Sequence, residues 1–133
     1  MEDKFGAQGF HVLGFLSDDF GNQGGDTGQV DTCNTKYAVT FPQFDLDHVI
    51  DTDGAGPIVP QPVYAWLEAQ PNPGPVATNV PTWNFHKYLL SREGKLVAAF
   101  DTPDYPGDDP ANPNDSFDTS DIVIAIKAEL AKP

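Results

Sequence analysis

The chain has 133 residues, one domain's worth, with 20 acidic and 7 basic side chains and a formal net charge of −13. A chain this acidic repels phosphate backbones and anionic lipid, which argues against nucleic-acid binding and peripheral membrane binding. Its single cysteine excludes an internal disulfide framework, and no apolar run approaches the roughly 20 residues of a membrane span. The opening MEDKFGAQGF has no signal-peptide pattern, so a cytoplasmic location is expected. The 12 glycines and 13 prolines predict long loops, while a chain of this size can still bury about 68% of its unfolded surface.

In chain order, residues 1–9 read as a helix tail ending near Gly9. Phe10 to Leu16 (FHVLGFL) is almost continuously apolar, which predicts a strand buried on both faces and so a parallel sheet. A Gly-rich loop runs from Phe20 to Gly28. Val30, Cys33 and Tyr37 then recur at helical spacing, and Phe41-Pro42 should end that helix. Phe44 to Ile50 alternates imperfectly, as a strand would, and Asp51 to Pro62 reads as loop. Val63, Trp66 and Leu67 mark a short helix over about 61–69. Pro71 to Pro81 holds four prolines and reads as a connector. Trp83 to Leu90 and Leu96 to Phe100 form a hairpin with Gly94 in its turn. Pro103 to Ser116 is an acidic loop. A final helix carries the stripe Ile122, Ile126 and Leu130, with Asp118 to Asp121 at its start and Lys127 and Lys132 towards its end. The order strand, helix, strand, helix, hairpin, helix indicates an α/β domain with a mixed sheet, taken as a single domain over 1–133.

Four segments resemble the glutathione peroxidase family, which has a thioredoxin-like fold. They are VLGF (Val12 to Phe15) with FGNQG (Phe20 to Gly24), CNTKYAVTFPQF (Cys33 to Phe44), WNFHKYL (Trp83 to Leu89) and SREGKLV (Ser91 to Val97). The resemblance implies a mixed sheet flanked by helices. It also implies that the first strand–helix unit lies upstream of residue 1, with the peroxidatic cysteine or selenocysteine that precedes Gly-x-Thr. No such residue stands among the 133. The implied missing strand would lie between Phe10–Leu16 and Trp83–Leu90, leaving this chain a poor autonomous folder. A second departure is Leu16, Ser17, Asp18 and Asp19, where the family's usual LGFPCNQF has Pro, Cys, Asn and Gln.

The family's chemistry is attack of a thiolate or selenolate on a peroxide oxygen, with Gln, Trp and Asn donors around the reactive atom. The matching positions are Gln23, Trp83 and Asn84. Taken alone, a Gln in a Gly-rich loop is ordinarily solvated, a Trp at a strand start ordinarily packs on a core, and an Asn ordinarily pairs with local backbone. Cys33 has two readings. It is a small apolar residue on the buried stripe with Val30 and Tyr37, or it matches the resolving thiol of thioredoxin-dependent relatives. The resemblance therefore implies an antioxidant thiol peroxidase acting on hydrogen peroxide or organic hydroperoxides. Thioredoxin is the expected reductant over glutathione, because Cys33 could form the disulfide it reduces and glutathione's two carboxylates suit a −13 chain poorly. The rival readings are a catalytically inactive thioredoxin-like module and a gene fragment lacking the nucleophile. No cofactor is implied. His11, His48 and His86 share no ligand spacing and read as structural, with His11 and His86 in strands and His48 at a strand end. Asp51, Asp53 and Gly54 fail an EF-hand register, since Ala55 and Pro62 occupy ligand positions, and Asp104, Asp108, Asp109 and Asp115 read as a solvated acidic loop.

Overall fold

The computed structural model describes residues 1–21, 25–51, 59–106 and 116–133. These residues divide into two units, Met1–Trp66 and Leu67–Pro133.

In the first unit, α1 (Glu2–Phe5) runs into a single 3₁₀ turn and stops at Gly9, whose φ of 89° is the left-handed geometry a glycine cap supplies. Phe5 is buried edge-on to Phe10. The Glu2 carboxylate reaches forward, accepting from Val12 N–H at 2.7 Å and meeting His11 Nδ1 at 2.8 Å. β1 (Gly14–Phe15) pairs in parallel with β2 (Gln43–Phe44), Gly14 opposite Gln43 and Phe15 opposite Phe44. Gly14 lets the strands approach closely here: a Cβ would stand 3.1 Å from Gln43 Cγ and from the Phe41 ring, so those side chains would have to give by a few tenths of an ångström. Phe15 stacks on Phe44 at 4.5 Å and meets Tyr64 edge-on at 5.7 Å.

α2 (Thr27–Tyr37) begins with a capping box, in which Gln29 N–H donates to Asp26 Oδ1 and Asp26 N–H to Gln29 Oε1. It ends at Ala38, in left-handed geometry at φ 50°, before Phe41-Pro42 is reached. α3 (Pro62–Glu68) leads out of this unit.

In the second unit, Asn79 is buried and its Nδ2 donates to the carbonyls of Leu67 and Gln70, satisfying the end of α3. The proline-rich connector passes alongside the hairpin, with Pro75 bridged to Ala99. β3 (Lys87–Leu90) and β4 (Leu96–Phe100) are antiparallel, with Gly94 at φ 72° in the turn and Val97 left as a bulge between the Leu89–Ala98 and Leu90–Leu96 pairs. α4 (Asp121–Leu130) supplies Ile122, Val123 and Ile126, and β3 and β4 supply Leu89, Ala98, Ala99 and Phe100, to the buried set. Lys127 bonds Asp118 Oδ1 at 2.6 Å.

The α/β class, the parallel and antiparallel pairing, and the element order agree with the sequence. Several details do not. FHVLGFL is not a strand buried on both faces. Only Gly14–Phe15 is extended in a ladder, it has one strand partner among the described residues, and Leu13 is 53% exposed. The Phe44–Ile50 strand shortens to Gln43–Phe44, because the chain beyond is held by Asp19 instead. The stripe of Val30, Cys33 and Tyr37 is not buried, and Cys33 is exposed. β3 starts at Lys87, so Trp83 opens a turn and not a strand. None of the three histidines lies in a strand. The middle of the rejected EF-hand register, with Asp53, Gly54 and Ala55, and most of the acidic loop, with Asp108, Asp109 and Asp115, fall outside the described residues.

Candidate active site

Trp83 and Asn84 stand next to each other in the turn entering β3. Trp83 is half exposed and Asn84 partly so. Phe85 follows at φ 59°, a conformation that non-glycine residues adopt rarely, that costs about 1–3 kcal/mol and that persists only where its surroundings hold it. Those surroundings are the residues just beyond β4. Thr102 Oγ1 donates to the Asn84 carbonyl. Thr82 Oγ1 donates to Asp101 Oδ1 at 3.3 Å, and Lys87 Nζ donates to the carbonyls of Asp101 at 2.7 Å and Thr102 at 3.2 Å.

His86 follows this turn in the chain, its side chain only 3% exposed. Its Nδ1 is 3.1 Å from Asp101 Oδ1 without hydrogen-bond alignment, and neither ring nitrogen has a hydrogen-bond partner among the described residues. Burial pushes the imidazole pKa down, against the opposing pull of Asp101 and Asp104. Burial also lowers Lys87, again opposed by Asp104 and Asp101.

Gln23 falls outside the described residues. Cys33 belongs to the first unit, on α2, in a shallow depression lined by Asp26, Gln29, Thr32, Lys36 and Tyr37. Its exposure removes the reading of a buried apolar filler and leaves a thiol open to exchange. Among the described residues no three His, Cys, Asp or Glu side chains converge as metal ligands. Among them, too, no helix is long and apolar enough to cross a membrane.

Sequence reasoning missed Asp19. Its side chain is 2% exposed, with Oδ1 2.6 Å from His48 Nδ1 and Oδ2 accepting from Val49 N–H at 2.7 Å and Ile50 N–H at 3.2 Å. Burial alone would raise the Asp19 pKa, but the hydrogen bonds from His48, Val49, Ser17 and Ile50 outweigh it and hold the carboxyl below its ordinary value. The bond to Asp19 raises His48 in turn. Only the departure from the family pattern at Leu16 to Asp19 marked this segment, and nothing in it named the partners.

Comparison with known proteins gives the class of molecule these features belong to. No family model matches the chain. A hydroperoxy fatty acid reductase of Synechocystis is 34% identical over 108 residues, covering 75% of this chain and 59% of the relative. A glutathione peroxidase-like peroxiredoxin of Candida albicans is 32% identical over 105 residues, covering 77% and 58%. A glutathione peroxidase homolog of Bacillus subtilis is 29% identical over 102 residues, covering 75% and 59%. The α/β architecture is of the thioredoxin-like kind. The chain belongs to the glutathione peroxidase family, and it spans rather under three fifths of the length of the curated relatives it matches.

Proposed function

We propose that this chain is part of a thiol peroxidase that reduces hydroperoxides, with Trp83, Asn84 and Gln23 around the reacting atom and Cys33 as resolving thiol. The observation that carries the reading is the Trp83–Asn84 turn, presented at the surface and braced from behind, in a chain whose relatives bear peroxidase and hydroperoxide reductase names. In this proposal the peroxidatic thiol or selenol comes from outside the 133 residues, among which no cysteine precedes Gly-x-Thr. Its anion attacks one peroxide oxygen and the O–O bond breaks. The other oxygen leaves and takes a proton, giving water or an alcohol, and the sulfur or selenium is oxidised to its sulfenic or selenenic acid. N–H donors on Trp83, Asn84 and Gln23 stabilise the developing negative charge. The Cys33 thiolate then attacks the oxidised atom, expelling hydroxide, which is protonated to water, and closing a disulfide or selenylsulfide bond. A dithiol of the thioredoxin type reduces that bond by exchange. The exposure of Cys33 supports this last step, and the net charge of −13 disfavours glutathione.

The test is coupled consumption of hydrogen peroxide and a fatty acid hydroperoxide by the full gene product, with thioredoxin or glutathione as reductant. Saturable turnover is expected with thioredoxin. Cys33→Ser should abolish that turnover while leaving one stoichiometric oxidation. Consumption no faster than free thiol would reject the peroxidase reading in favour of a non-enzymatic thioredoxin-like module.

A further inference from the structure

We propose that Thr102, backed by Lys87, is the residue that positions the Trp83–Asn84 turn. This rests on the reading of that turn as the reactive site. The Asn84 carbonyl is half of the peptide joining Asn84 to Phe85, so its direction fixes Asn84 ψ and Phe85 φ together. Thr102 Oγ1 donates to that carbonyl, and Phe85 sits in left-handed geometry at φ 59°. Were the peptide to rotate to an ordinary φ, the carbonyl would leave Thr102, and the Phe85 N–H in the same plane would turn with it, changing the surroundings of the Asn84 side chain.

Thr102 is itself held. Lys87 Nζ bonds the Thr102 carbonyl at 3.2 Å and the Asp101 carbonyl at 2.7 Å, so one ammonium from the first residue of β3 fixes the chain leaving β4. The Asp101 N–H donates to Asp104 Oδ2 at 2.9 Å, which closes that chain into a turn. On the other side of Trp83, Thr82 Oγ1 reaches Asp101 Oδ1 at 3.3 Å. Both flanks of the Trp83–Asn84 pair are therefore tied to residues 101–102, and all of these groups lie within the second unit.

The discriminating pair is Thr102→Val, which keeps the shape and removes the donor, and Thr102→Ser, which keeps the donor. Both are made in Trp66→Phe protein, so that Trp83 is the remaining one of the two tryptophans. The readouts are Trp83 emission and acrylamide quenching, and the NMR shifts of the Phe85 backbone amide and the Asn84 side-chain amide. Thr102→Val should move all of them and raise the quenching constant about twofold or more, and Thr102→Ser should restore them. Unchanged signals in a folded Thr102→Val protein overturn the proposal. Should that variant fail to fold, Lys87→Gln decides. It leaves the hydroxyl in place but frees residues 101–102, so the same signals should shift in the same direction, and their constancy refutes the clamp. Failure of the site reading shows separately, as hydroperoxide consumption unaffected by Asn84→Ala while the Thr102→Val signals still move.

Discussion

Asp19→Ala is the most informative single perturbation of the first unit. The carboxylate it removes is 2% exposed and accepts two backbone N–H bonds, from Val49 at 2.7 Å and Ile50 at 3.2 Å, besides meeting His48. Val49 is itself 4% exposed, so water cannot readily replace the lost acceptor. Leaving a buried donor unpaired costs about 1–3 kcal/mol. The shorter bond carries most of that and the longer one less, so a loss of about 2–4 kcal/mol is expected locally. Hydrogen exchange at the Val49 and Ile50 amides reads this directly. Exchange should accelerate on the order of 30-fold to several hundred-fold, since about 1.4 kcal/mol is a factor of ten. The pH dependence follows from the two shifts. Asp19 is lowered, so its contribution is present above 3.8 and lost as pH falls through the lower folded value. His48 is raised, so its contribution is full below 6.5 and lost as pH rises through the higher folded value. Protection at Val49 should therefore be greatest between these limits in the wild type and indifferent to pH across them in Asp19→Ala. An exchange rate within twofold of wild type would refute the reasoning.

Three further outcomes are expected. Asn84→Ala in the active gene product should lower hydroperoxide turnover by on the order of 10² to 10³, by analogy with other donors to developing charge, with melting temperature almost unchanged because the side chain is only partly buried; an unfolded variant would count against the assignment. His86→Leu should flatten the pH profile of stability below 6.5, because the wild-type imidazole, lowered by burial, lets the unfolded chain take up its proton first as pH falls; urea midpoints at pH 7.5 and 5.5 that shift equally in both proteins would contradict this. The 133-residue chain on its own should bind apolar dye and associate as concentration rises, since Leu13, Phe44 and Leu46 are each 45% exposed or more around the short β1–β2 pair; a monomer at all concentrations with no dye binding would show those side chains to be harmless.

Helices were legible because their ends are written locally. The start of α2 is also written locally, as Asp26 with Gln29 three residues on, yet the sequence reading runs the loop on to Gly28 and misses this cap. The acidic start of α4 and its apolar repeat are likewise local, as is Gly94 in the hairpin turn. The family motifs marked Trp83 and Asn84, but the sequence placed Trp83 at the start of a strand. The miss traces to Phe85, whose positive φ no local preference announces. Periodicity gave the spacing of Val30, Cys33 and Tyr37 but could not say that this face of α2 is exposed. For the same reason FHVLGFL, with the composition of a doubly covered strand, could not reveal that its ladder has one partner among the described residues.

The two histidine–carboxylate pairs show why residue types alone do not fix electrostatic behaviour. In one, the carboxylate is buried and the imidazole exposed, at 2% for Asp19 and 46% for His48. In the other the order is reversed, with His86 at 3% and Asp101 at 40%. A buried carboxylate that stays charged because backbone N–H groups solvate it makes its imidazole partner easier to protonate. A buried imidazole facing a carboxylate already bathed in water gains little from that charge and loses its own hydration, so it stays neutral. The first arrangement strengthens as pH falls through the neutral range, and the second weakens. Asp19–His48 therefore serves as a latch between two loops of the first unit, while His86 is a neutral, buried ring packed against Tyr88. Nothing in the spacing of four residues in a sequence distinguishes those roles. They follow from which partner each unit removes from water.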